Sequence, residues 1–77
     1  MLLSQRSKLR LQAVREDIGY SREYVVRRPE LDPPISSKTL ERYEKGTSAI
    51  KKLRLRQLAR VYGVKVSELV ETLEAAA

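Results

Sequence analysis

Three glycines punctuate this 77-residue chain, and each one closes a segment whose apolar residues recur at helical spacing. Glycine accepts the left-handed backbone conformation that ends a helix at no steric cost. Gly19, Gly46 and Gly63 therefore cut the chain into short helices. The first spacing is Leu11, Val14 and Ile18, at i, i+3 and i+7, with Arg15 on the same stripe. It predicts a helix from about Ser4 to Ile18, stopped by Gly19.

Serines supply the starts. Ser21 is a good N-cap, its side-chain oxygen free to accept from an orphan N–H. It opens a helix over about Arg22 to Arg28, with Val25 buried and Val26 beside it; Pro29 closes this helix by disfavouring helical geometry at Arg28. Residues 29–34, PELDPP, hold all three prolines and read as an ordered, stiff loop, with Leu31 covering the core edge. The segment Ile35–Gly46, ISSKTLERYEKG, predicts a third helix capped by Ser36 or Ser37. Leu40 and Tyr43 give it a buried face, while Lys38, Glu41, Arg42 and Lys45 point outward. After a loop over Thr47–Ile50, Leu55, Leu58, Ala59 and Tyr62 predict a fourth helix from about Lys51 to Tyr62. Val66, Leu69, Val70 and Leu73 predict a fifth, over about Val66–Leu73. No alternation, internal repeat or low-complexity run is present. The expected fold is all-α, a compact five-helix bundle in one domain over 1–77, with a core of about 9–71 and an acidic tail at 72–77.

Composition narrows the function. There is no cysteine and no histidine, so thiolate metal sites, disulfides and the usual neutral-pH acid–base group are excluded. A domain of this size has little room for an enclosed substrate cavity, and no paired carboxylate, lysine or hydroxyl arrangement suggests catalysis. The expectation is a non-enzyme without cofactor or metal. The net charge of +6 is uneven: residues 1–66 carry sixteen bases against seven acids, and residues 67–77 carry Glu68, Glu71 and Glu74 with no base. Apart from plain solubility, such a body implies a polyanionic partner: DNA, RNA or an anionic membrane surface. Met1-Leu2-Leu3 is too short for a signal-peptide core, and no apolar run approaches a membrane span, so a cytoplasmic location is the expectation.

Three segments in order resemble the Cro/repressor-type helix-turn-helix family, often called the XRE family, over roughly residues 9–71. The first is Leu11, Val14, Arg15, Gly19, Tyr20 and Ser21. The second is Ser36, Thr39, Leu40, Tyr43, Glu44 and Gly46, and the third is Leu58, Ala59, Tyr62, Gly63 and Val64. The resemblance implies a λ-repressor-like fold whose helix 37–45 enters the DNA major groove. It also implies that Arg15 and Glu44 form a structural clamp between the first and third helices. Such a pair fixes orientation more than it adds net stability. The chain departs from the family pattern in several places. Arg22 stands where glutamine is usual, favouring phosphate or a guanine edge. Val26 replaces alanine, Tyr24 replaces a charged residue, and Lys65 replaces the cap before the last helix. The loop 29–34 is about four residues longer than the usual turn by alignment to the family pattern, giving an extended connection between helices 2 and 3.

On the third helix Ser37, Lys38 and Arg42 are the candidate base readers; Lys38 and Arg42, four apart, share a face. Lysine or arginine to guanine O6 and N7 is the commonest specific contact. Glu41 either accepts from cytosine N4 or screens its lysine neighbours. Arg22, Ser36, Lys45, Thr47, Ser48, Lys51 and Lys52 are candidates for the DNA backbone, which fixes register. A solvated helical face accounts better for Arg56 and Arg60. Arg6, Lys8 and Arg10 fit the outer face of the first helix better than a groove-reaching arm. The reading is a sequence-specific transcriptional regulator, a small phage, plasmid or bacterial repressor binding a palindromic operator as a homodimer. Val66, Leu69, Val70 and Leu73 would supply self-association, although closing the monomer core accounts better for Val66 and Leu69. The alternative is an antitoxin-like or polymerase-binding interaction module that engages a protein through Tyr24, Leu31 and Pro33. RNA binding fits less well, since phenylalanine and tryptophan for base stacking are absent.

Overall fold

The computed structural model describes the backbone of residues 7–72 and the side chains of residues 9–70. Strand β1 covers Ser7–Leu9, followed by helices α1 (Leu11–Ile18), α2 (Arg22–Val26), α3 (Ser37–Lys45) and α4 (Lys52–Tyr62). A 3-10 turn at Val66–Leu69 leads into strand β2, Val70–Thr72. The body is helical: four helices, three of them of seven or more residues, and the 3-10 turn. The two strands form an antiparallel ribbon, Ser7 opposite Thr72 and Leu9 opposite Val70, too short to make a layer.

The punctuation read from the sequence is present in the backbone. Gly19, Gly46 and Gly63 all take positive φ, at 96°, 75° and 71°. Ser21 and Ser36 are N-caps whose hydroxyls accept from the N–H of Tyr24 and Thr39, each at 3.1 Å. α2 packs against α3, α1 packs against both α3 and α4, and the 3-10 turn rests on α4. Between them lies a core of Leu11, Val25, Leu31, Leu40, Leu55, Leu58, Ala59, Tyr62 and Leu69. Five of these side chains are fully buried, each contributing about 1.5–3 kcal/mol relative to exposure.

Both ends differ from the five-helix expectation. The first helix begins at Leu11 rather than Ser4, because residues 7–9 are extended and paired with β2. Lys8 therefore lies on a strand rather than a helix face. Arg10 is the residue before α1, its N–H donating to the Leu69 carbonyl at 2.8 Å. Arg6 and Leu73 lie outside the described residues. The expected fifth helix is one 3-10 turn, held at its start by the Glu68 carboxylate accepting from the Lys65 N–H at 3.1 Å. Val70 is already extended, at φ −125° and ψ 123°. α2 ends at Val26 rather than Arg28. Ile18 and Val66, assigned to buried stripes, are 40 % and 37 % exposed. No helix among the described residues is long and apolar enough to cross a membrane.

Candidate nucleic-acid interface

α3 is built from both sides of its own sequence. Leu40 is fully buried against the core, and Tyr43 packs at its edge. The 100° turn per residue then carries Lys38, Arg42 and Lys45 to the outer face, where all three are exposed. The cap sets where this face begins. Ser36 accepts from the Thr39 N–H and donates its own proton to Thr39 Oγ1 at 3.1 Å. Its hydroxyl proton is thus directed at Thr39, within the helix's own first turn. Ser37, one residue inside the helix, is half-buried. At the other end Gly46 closes the helix. The Arg42 carbonyl accepts there from the Thr47 N–H at 3.0 Å and from Thr47 Oγ1 at 3.3 Å.

Behind α3 sits the arginine–glutamate clamp. The Glu44 side chain is completely buried. Arg15 reaches it twice, from Nε at 2.7 Å and Nη2 at 3.3 Å, and also donates from Nη1 to the Tyr20 carbonyl at 2.9 Å. The Glu44 hydrogen bond raises the Arg15 pKa against the opposing effect of burial. A third member was not foreseen as part of this cluster. Arg22 Nε donates at 2.9 Å to Glu44 Oε1, the oxygen that also accepts from Arg15 Nη2. Arg22, expected on the DNA backbone, is thus half-buried and joins α2 to α3 through Glu44. Two guanidiniums thus share one buried carboxylate, with the exposed Glu16 carboxylate 3.7 Å from Arg15 Nη2 at the edge of the site.

Lys45, also expected on the backbone, pairs with Glu41 at 2.8 Å, one helical turn away. Its ammonium holds the Glu41 carboxyl below the usual range. This settles Glu41 as a partner of Lys45 in the structure described. By contrast, Lys38, Arg42, Lys51 and Lys52 have no carboxylate within 4.0 Å among the described residues. Lys51 and Lys52 stand exposed at the start of α4, where no side chain caps the first N–H groups and no acid occupies the first turn. Base-loading the positive end of a helix dipole is unfavourable unless an anion arrives there. Thr47 is exposed and Ser48 half-buried in the loop between. The structure thus brings Ser37, Lys38 and Arg42 together on α3. Arg22 and Ser36 make intramolecular hydrogen bonds in it.

The proline loop is anchored in a way its sequence does not announce. Leu31 is 2 % exposed and belongs to the core rather than its rim. It is not available to the partner surface expected of Tyr24, Leu31 and Pro33. From α4, Arg54 Nη1 donates to the Pro33 carbonyl at 2.6 Å and Gln57 Nε2 to the Asp32 carbonyl at 2.9 Å. Arg54 also donates to Gln57 Oε1 at 2.8 Å, so the two act as one clamp. Their only sequence signal is an i, i+3 spacing that puts both on one side of α4. Tyr24 is 43 % exposed, and its ring lies 4.6 Å from that of Tyr20. The Arg28 guanidinium stands 5.3 Å from its centroid, within cation–π range.

Comparison of the chain with protein-family models, with curated proteins and with solved structures finds no match.

Proposed function

We propose that this chain is a sequence-specific double-stranded DNA-binding regulator that presents α3 to the major groove. The observation that carries the reading is the outer face of α3. Lys38 and Arg42 stand there four residues apart, exposed and without a carboxylate partner among the described residues, on a helix fixed from behind by Leu40 and Glu44. Each can offer donors to guanine O6 and N7, the commonest specific contact, supplying roughly 1–3 kcal/mol of discrimination. Lys51 and Lys52 then act on phosphates, which position the helix without reading sequence. A single domain reads few bases, so binding as a homodimer to a two-fold operator, and repression by occupancy, complete the proposal. The reading as a protein-interaction module loses support because Leu31 is buried.

The test is selection of bound duplexes from a random DNA pool, followed by titration of the selected duplex and a scrambled one over several salt concentrations. The selected duplex binds more tightly at every salt. Lys38→Ala or Arg42→Ala relaxes preference at one base position, whereas Lys51→Ala weakens both duplexes equally. Equal affinity for selected and scrambled DNA at all salts overturns the proposal.

A further inference from the structure

A cleft of about 390 Å³ runs between α4 and the segment that follows it, away from the clamp behind α3. Its lining is Lys52, Leu55, Arg56, Val66 and Val70. Leu55, Val66 and Val70 make an apolar floor; Val66 is 37 % exposed, although the 3-10 turn to which it belongs is anchored by the fully buried Leu69. Lys52 and Arg56, one helical turn apart and both exposed, stand on the same side of α4. Neither has a carboxylate partner among the described residues, and no acid among those residues lines the cleft.

Two cations over an apolar floor define a ligand chemistry. A DNA phosphate would satisfy Lys52 and Arg56 but leave the floor in water. A neutral apolar molecule would cover the floor and leave two cations unanswered. The volume falls in the range of small-ligand sites, which are mostly apolar with a few placed polar groups. We infer that this cleft binds an amphipathic monoanion: an unbranched acyl chain over Leu55, Val66 and Val70, with its carboxylate held by Arg56 and Lys52. The guanidinium fork suits a carboxylate because it donates two parallel hydrogen bonds. The inference does not rest on base reading by α3, although it shares Lys52 with the proposed phosphate contacts.

The test is a methyl and amide NMR titration of the full chain with sodium decanoate, below its micelle concentration and at constant ionic strength. Decyltrimethylammonium carries a comparable tail with the opposite charge, and acetate carries the head without the tail. The expected result is saturable shifts at Leu55, Val66 and Val70 with decanoate. Decyltrimethylammonium binds at least about tenfold more weakly, since both rim charges repel it, and acetate does not saturate. Arg56→Gln and Lys52→Gln each weaken decanoate about fivefold. Both side chains are exposed, so an unchanged amide spectrum separates this loss from unfolding. Equal affinity for the two head groups, shifts centred elsewhere, or no saturable shift overturns the inference. The last result is also what occupation of the cleft by residues 73–77 or by a second copy would give. No DNA is present in this titration, so its failure leaves the proposal for α3 standing, and the reverse holds.

Discussion

At the scale of single residues, Glu44 carries more than any other side chain. It is completely buried and is the shared anion of Arg15 and Arg22. Replacing it with glutamine keeps the shape but leaves a nearly buried Arg15 with only the exposed Glu16, 3.7 Å away, as counter-charge. Glu44→Gln is expected to cost about 3 kcal/mol, as breaking a buried pair does, measured by urea unfolding at pH 7. Arg22→Gln should cost less than about 1 kcal/mol, because Arg22 is partly solvated and Glu44 keeps Arg15. Equal losses from the two variants would show that Arg22, not Arg15, is the main partner. Tyr62 is the opposite case. Its hydroxyl is buried without a hydrogen-bond partner among the described residues. Burial, reinforced by the Glu44 charge, pushes the phenol well above its ordinary range. A folded-state pKa above the unfolded value of about 10 means the folded protein holds this proton longer. Stability from this group is complete below about pH 10 and is lost as pH rises from there toward the folded value. Tyr62→Phe should therefore leave stability at pH 7 unchanged or raise it by up to about 1 kcal/mol. It should also make the loss of stability between about pH 10 and 11 shallower in parallel urea series.

At the scale of elements, what was legible was whatever a helix writes into its own neighbourhood. Ser21, Ser36, Gly19, Gly46 and Gly63 act on residues within one turn of themselves, so their positions mark both bounds of α3 and the end of α4 to within a residue. The ribbon was illegible because Ser7 and Thr72 pair across almost the whole chain, and three residues are too few for alternation to show. The clamp of Arg15 and Glu44 was legible through the family pattern, but its third member was not. Arg22 was placed by the expected groove, and nothing in its sequence context marks Glu44 as nearer than a phosphate. Arg54 and Gln57 were missed because their acceptors are backbone carbonyls of the loop, which carry no residue identity. Ser36→Ala should cost about 1 kcal/mol, the usual value of a lost cap. Gly46→Ala should cost about 1–2 kcal/mol from backbone conformation alone, since a Cβ there meets nothing within 4 Å; thermal unfolding reads both. Arg54→Ala should free the proline loop from α4. Faster amide exchange at Leu31, whose N–H donates to the Arg28 carbonyl at 3.1 Å, is the expected sign, with α1 unchanged.

At the scale of the whole molecule, the net charge of +6 overstates what the proposed DNA face can offer. Arg22 and Lys45 are already answered by carboxylates, leaving Lys38, Arg42, Lys51 and Lys52 as the proposed contacts without one among the described residues. Two to four neutralised phosphates per chain give a slope of log affinity against log salt of about −2 to −4. A slope of about −5 per chain would mean that Arg22 and Lys45 also leave their partners on binding. The ribbon has a separate, topological consequence. Ser7 and Thr72 are directly opposed, so the path of the backbone returns nearly to where it started, its two ends about 5 Å apart. The fold is a ring with one short gap. The described backbone thus begins and ends at neighbouring positions. A host protein could therefore carry this unit as an insertion in a single surface loop, with almost no separation imposed on the two halves of the host.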